Sequence, residues 1–186
     1  AMFNHFGGLV SSVNYNNQVV DLNMGLAWNT YGGDHYGEVL EVASASNFTQ
    51  PREYYRNTSF KHDGNVFAKV NWQAFKGFFV YADVQYRFVN QKITGKDDVY
   101  DYATGDMLQM NLDEYFHFLN PKIGLTYQFE KYHTAYASVA LANREPTRKD
   151  FTNAPVGELP KAEHLLDLEF GYQFRHKYVT AGVNFY

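Results

Sequence analysis

The chain has no cysteine, which rules out a disulfide framework and thiol chemistry. It has no surplus of basic residues. Sixteen Lys and Arg stand against 20 Asp and Glu, and a net charge of −4 makes no case for a nucleic-acid partner. No stretch approaches the roughly 18 consecutive apolar residues of a membrane helix. Mean hydropathy is −0.46 even though 45% of residues are hydrophobic, too polar for a helical membrane protein. The 14 glycines form no GxGxxG or Walker pattern. No Ser-His-Asp or Cys-His arrangement carries motif context and no paired glutamates share a motif, so no enzyme is expected. His5, His62, His117, His133, His164 and His176 are scattered without HxH or HExxH spacing. Asp34, His35 and Tyr36 are neighbours whose side chains point apart on an extended chain, so no metal site and no cofactor are expected. No signal peptide opens the chain.

What the chain has instead is aromatic residues and alternation. Phe, Trp and Tyr make up 18% of it. Val20, Leu22, Met24, Leu26 and Trp28 alternate with Asp21, Asn23, Gly25, Ala27 and Asn29. Val66, Ala68, Val70 and Trp72 do the same against Phe67, Lys69, Asn71 and Gln73, as do Val80, Ala82, Val84 and Tyr86 against Tyr81, Asp83, Gln85 and Arg87. Successive side chains on a strand point to opposite faces, so each segment has an oily face and a wet face. These runs reach about ten residues, the length a tilted strand needs to cross a bilayer. A barrel with a watery lumen reconciles the hydrophobic content with the low hydropathy.

The alternation predicts strands near 7–15, 19–31, 59–75, 78–93, 115–129, 133–143, 163–174 and 178–186. Tight hairpins are expected at Asn16-Asn17-Gln18, Lys76-Gly77, Glu130-Lys131-Tyr132 and Arg175-His176-Lys177. Long polar loops are expected at 32–58, 94–114 and 144–162. Short turns alternating with long loops predict an all-β, antiparallel up-and-down meander of about eight strands, part of a transmembrane outer-membrane β-barrel, its long loops outside. Trp72, Phe75, Phe78, Phe79, Tyr127, Phe129, Tyr132, Phe174 and Tyr178 flank the short turns and read as a girdle at the periplasmic interface. Val20, Leu22, Leu26, Val66, Val70, Val80, Val84, Ile123, Leu125, Leu168, Phe170, Val179 and Val183 share one phase and are expected to face lipid. Asp21, Asn23, Lys69, Asn71, Asp83, Gln85, Arg87, Lys122, Asp167 and Glu169 are expected to face inward.

Several stretches carry a more specific signal. They are Gly33-Asp34-His35-Tyr36-Gly37, Tyr54-Tyr55-Arg56-Asn57, Asp83-Val84-Gln85-Tyr86-Arg87, Phe118-Leu119-Asn120-Pro121-Lys122-Ile123-Gly124-Leu125, Ala142-Asn143-Arg144-Glu145-Pro146-Thr147-Arg148, and Asp167-Leu168-Glu169-Phe170-Gly171-Tyr172 with Val183-Asn184-Phe185-Tyr186. In this order they resemble the barrel of TonB-dependent outer-membrane receptors, in the form common in Bacteroidetes. The resemblance covers nearly the whole chain and implies a localisation in the outer membrane of a Gram-negative bacterium. It implies that residues 1–186 are a single segment from the C-terminal half of a barrel of about 22 strands, with the plug domain absent. It further implies TonB-driven uptake of a siderophore, haem, cobalamin or glycan. The implied partners are outer-membrane lipid, TonB through the missing plug, the nutrient itself and a surface lipoprotein. The alternative is a complete eight-stranded structural or adhesion barrel. A soluble lipid-binding barrel would need the two faces reversed. In a bacterial setting the sequons Asn47-Phe48-Thr49 and Asn57-Thr58-Ser59 are accidents.

Candidate ligand-binding residues are the loop aromatics and charges Tyr36, Arg52, Tyr54, Tyr55 and Tyr100, since rings stack on sugars or chelators and charges hold a ligand's ions. Arg144, Glu145, Pro146 and Arg148 form the structural motif, a charged turn stitched by ion pairs at a strand end, where proline's missing N–H is harmless. Asp97, Asp98, Asp101 and Asp106 make 94–114 acidic without EF-hand spacing, as in a solvated loop.

Overall fold

A computed structural model describes residues 1–41, 52–155 and 158–186. The elements are β1 (Met2–Asn16), β2 (Val20–Val39), β3 (Arg52–Phe75), β4 (Phe78–Asp101), β5 (Asp106–Phe129), β6 (His133–Arg144), α1 (Arg148–Asn153), β7 (Glu163–Arg175) and β8 (Thr180–Phe185). The eight strands form one sheet in sequence order, every pairing antiparallel, with β1 and β8 as its edges. Among the described residues no helix is long and apolar enough to cross a membrane.

Register divides the sheet into two faces. Val20 pairs with Trp72, Trp72 with Val80, Val80 with Leu125, Leu125 with Ala137, Ala137 with Phe170 and Phe170 with Phe185. The next row but one holds Leu22, Val70, Ala82, Ile123, Val139 and Leu168. The lipid-facing set expected from sequence lies on this apolar face, except Val179, which falls in the turn before β8. Asn23, Lys69, Asp83, Lys122, Ala140 and Asp167 form a row on the opposite face, where Lys69 and Asp83 approach to 3.6 Å. The segment after β6 is laid across this polar face, so it is the covered, inner side.

The apolar belt runs from Val20 to Trp28 on β2, about 27 Å along the strand, or about 21 Å in height at a tilt near 40°. Rings bound it below. Phe75 stacks on Phe78 at 4.8 Å, and contacts continue through Tyr127, Phe129, His133 and Phe174. A second ring belt bounds it above, where Trp28 stacks on Phe88 at 6.3 Å and Phe88 meets His117 at 5.3 Å. Gly64 makes room for it, since a Cβ there would lie 2.5 Å from the Trp28 ring. With both belts the wall approaches the roughly 25 Å apolar band of outer-membrane barrels.

The tight turns at 17–19, 76–77, 130–132 and 176–179 lie at one end of the sheet, and the 102–105 turn, α1 and the strand ends Val39, Arg52, Arg144 and Glu163 at the other. Gly77 closes its turn at φ 79, where a Cβ would meet the Gln128 carbonyl at 2.4 Å. The expected long loops need correction. Strand occupies 32–39 and 52–58 of the first, and 94–101 and 106–114 of the second, which shrinks to a four-residue turn. The third contains α1. The reason is physical. Above the belt the outer face turns polar and the buried apolar residues, such as Val89, Ile93, Met110 and Leu112, lie on the inner face, so the membrane alternation ends while the backbone ladder continues. The sequon at 47–49 lies outside the described residues. Asn57 of the second sequon is 1% exposed, so it is no acceptor for a glycan.

The belt predicts a depth profile. Val84→Arg, in its middle row, should destabilise the protein folded in lipid vesicles by about 2–4 kcal/mol. Thr30→Arg, one row above Trp28, should cost about 1 kcal/mol or less. Denaturant unfolding of the two variants checks the difference.

Candidate functional site

The site begins with a proline. β5 pairs with β6 only from Lys122 to Phe129, and Pro121, with no N–H to give, stands at the first lost rung. Side chains take over there. Asn143 donates its N–H and its Nδ2 to Asn120 Oδ1, at 3.0 and 2.8 Å, and its Nδ2 to the Leu119 carbonyl at 2.9 Å. β6 stays paired with β7 up to the Arg144–Glu163 ion pair at 2.8 Å. The chain then turns inward at the buried Glu145 and Pro146.

Residues 145–153 form a strap across the inner wall. Glu145 accepts from Lys61 at 2.5 Å and from both Nη atoms of Arg87 at 2.9 and 3.1 Å. Arg87 also forks onto Asp63, at 3.0 and 2.5 Å, so one guanidinium joins two carboxylates. Arg148 pairs with the buried Asp97, which also receives the Asn57 amide at 3.3 Å. Thr147 donates its N–H and hydroxyl to Asp150 at 2.6 and 2.7 Å and so starts α1. These bonds hold the Asp150 carboxyl below the usual carboxylate range. Phe151 enters a niche of Ile93, Met110 and Leu112, the buried apolar cluster among the described residues.

Two hollows flank α1 and share Val99 and Thr152 in their walls. One, of about 690 Å³, is charged, with His35, Tyr55, Asp97, Asp98, Arg148 and Lys149. His35 lies well above the membrane belt, where burial and then the nearby Arg148 push its pKa down and keep it neutral. The other, of about 530 Å³, is lined by Tyr100, Tyr102, Leu108, Met110 and Phe151 among others. No group of three metal-ligating side chains occurs among the described residues.

The five candidate ligand residues are on strands rather than loops, and they do not converge. Tyr36 and Tyr54 are away from the hollows. Arg56 sits 4.4 Å over the Tyr36 ring and forks onto Glu53. Tyr54 occupies the β2–β3 irregularity, edge-on to Tyr55 at 5.0 Å. Tyr55 lines the charged hollow and Tyr100 the apolar one. Arg52 is exposed at the β3 terminus, opposite Val39. Arg144, Glu145 and Arg148 bond outside their own turn, to β7, β3 and β4. Sequence reasoning missed Asn57, Lys61, Phe151 and Tyr102. For α1 a signal existed: Thr147 with Asp150 three residues on is a helix-start pattern.

Glu145→Ala should destabilise by about 2–3 kcal/mol, the low end for breaking a buried ion pair because Lys61 and Arg87 keep some water. Hydrogen exchange at 147–153 should rise with it. The Asp150 contribution is present above the ordinary carboxylate pKa of about 3.9 and is lost as pH falls through its depressed folded value. Protection factors at 147–153 should therefore fall below about pH 4, and less so in Asp150→Asn.

Among curated proteins, none matches the chain significantly. Solved structures resemble it in fold. The copper transporter OprC superposes at TM-score 0.75 with 13% identity, over 98% of this chain and 29% of that one. The ferric yersiniabactin uptake receptor FyuA from Yersinia pestis gives 0.61 with 13% identity, over 98% and 28%. The chain thus spans less than a third of either protein. The family model described as TonB dependent receptor-like, beta-barrel matches residues 3–186, and the chain belongs to that family.

Proposed function

We propose that the chain is a section of the wall of an outer-membrane receptor that imports a scarce nutrient with energy delivered through TonB, and that it is not an enzyme. The observation that carries this reading is the two-faced wall, with an apolar belt between two aromatic belts outside and ion-paired charges inside. Small barrels fill their interiors with side chains. A face bearing Lys69, Asp83, Lys122 and Asp167 suits a wide, hydrated lumen holding a separate plug. The names of OprC and FyuA concern copper and a ferric siderophore. For this chain the nutrient class is a siderophore, haem, cobalamin or glycan. The residue pattern supports a Bacteroidetes source, where a surface lipoprotein is a fitting partner. Capture belongs to the end bearing α1, and plug displacement to the lumen below.

The native absence of cysteine makes topology directly testable. In the full-length protein in intact cells, a membrane-impermeant maleimide should label Tyr102→Cys. It should label Lys76→Cys only after the outer membrane is permeabilised. Equal labelling of both, or recovery of the protein in the soluble fraction, defeats the reading.

A further inference from the structure

Histidines that look scattered in the sequence fall on one line in the sheet. Register puts His5, His62, His117 and His164 on the apolar side, on β1, β3, β5 and β7. Each stands about 12 to 14 residues above the turn that closes its hairpin, at 17, 76, 130 and 176. Pairing places each one row lower than the last, as tilted strands require of residues at one height. That height is the upper boundary of the apolar belt. Between the histidines β2, β4 and β6 carry Thr30, Asn90 and Asn143 there, polar and uncharged. Alternate strands are about 10 Å apart, so no two of the four rings can grip one metal ion.

The surroundings leave these rings open to an outside anion. His117 bonds the Tyr86 hydroxyl through Nδ1 at 2.7 Å, and His164 bonds Asn143 through Nδ1. Nε2 of each exposed ring is left for an external partner. His5 is exposed opposite Gly32, and half-buried His62 stacks on Trp28 at 5.8 Å. The charges nearest the four lie above them and are occupied, Asp34 by Arg56 and Thr58, and Asp113 by Lys92 and Asn90. Tyr115, one row above His117, is uncharged at neutral pH. Asp63 and Glu163, next in sequence to His62 and His164, lie on the inner face and bond Arg87 and Arg144. From the lower turns up to the histidines, the outer face holds no Asp or Glu among the described residues. Histidine ordinarily becomes charged below about pH 6.5. Charge gained here is not answered within the wall, and an unanswered charge beside lipid is costly. The anion within reach at the top of a membrane belt is the headgroup phosphate.

We propose that His5, His62, His117 and His164 form a collar that binds the anionic phosphate headgroups of the surrounding lipid when protonated, so that the wall grips its membrane more tightly as pH falls through the histidine range. The proposal rests on the reading above that the apolar belt lies in a membrane.

The experiment places the full-length protein in phosphatidylcholine vesicles and measures, by electron spin resonance, how strongly spin-labelled phosphatidylglycerol and phosphatidylcholine associate with it. The phosphodiester of phosphatidylglycerol stays charged across the histidine range, so a titration there belongs to the protein. Phosphatidylglycerol should be favoured at about pH 5.5, and the preference should fall roughly fivefold by about pH 8, the worth of about one interfacial charge. Combining His5→Gln, His62→Gln, His117→Gln and His164→Gln should remove the pH dependence. Combining His5→Arg, His62→Arg, His117→Arg and His164→Arg should keep the preference at both pH values. His35→Gln, on the inner side, should change neither. The proposal is overturned if phosphatidylglycerol is not preferred at the lower pH, if the preference is the same at the higher pH, if the Gln set keeps the parent's pH dependence, or if the Arg set loses its preference as pH rises. Any of these outcomes, with motionally restricted lipid still present around the protein, removes the collar and leaves the membrane reading standing. Absence of restricted lipid of either kind removes the membrane reading itself.

Discussion

Everything in this wall depends on register. Because side chains alternate with period two, a slip of one residue between any two strands would carry an apolar row into a charged one. Val20, Trp72, Val80 and Leu125 would then stand beside Asn71, Tyr81 and Gly124. The register is held from both ends. Turns of two to four residues fix it below, with Gly77 closing the one between β3 and β4. Above the belt, the ladder continues for another ten or so residues on β2 to β5, with bonds such as Thr58 to Asp34 locking neighbouring strands. Strands much longer than the bilayer requires are therefore useful. They supply backbone bonds that set phase in a region where hydrophobicity no longer can.

This explains which parts of the fold were legible in the sequence. The belt could be read because one face had to be apolar. The expected strands at 19–31 and 78–93 stop close to where the outer face turns polar. Beyond that point Gly33, Asp34, His35 and Tyr36, or Thr94 to Tyr100, look like loop composition and are strand. The lower ring belt was legible because its members flank recognisable turns. The upper one was not, since Trp28, Phe88 and His117 come from three strands and meet only through pairing. The same limit applies to the candidate site. Tyr54 and Tyr55 are adjacent in sequence and meet edge-on, yet of the two only Tyr55 lines a hollow.

The strap follows from a conflict between covering charges and solvating them. Glu145 is nearly buried, and a lone carboxylate there would be costly. It is tolerable because Lys61 and Arg87 reach it from two strands, and Arg87 is itself neutralised on its other edge by Asp63. Such pairs are weak evidence for stability, since hydrophobic replacements often do as well. What they supply is position. Polar anchors of complementary sign at Glu145 and Arg148 leave one way to lay the strap down, and Phe151 adds the apolar contact that polar pairs do not provide. Pro121 makes the arrangement possible by ending the β5–β6 ladder, which frees the chain to turn inward.

The consequence is a division of labour along the height of the wall. At membrane depth part of the inner charge is paired within the wall, Lys69 with Asp83 and Arg87 with Asp63 and Glu145. At the upper end α1 separates a hollow with both signs of charge from one lined by aromatic and apolar side chains. Two neighbouring hollows of unlike chemistry are held apart by a helix of six residues. The shape of both depends on the strap staying docked, since α1 lines each of them. Glu145, anchored to Lys61 one same-face row below Leu112, thus helps set the shape of hollows it does not line.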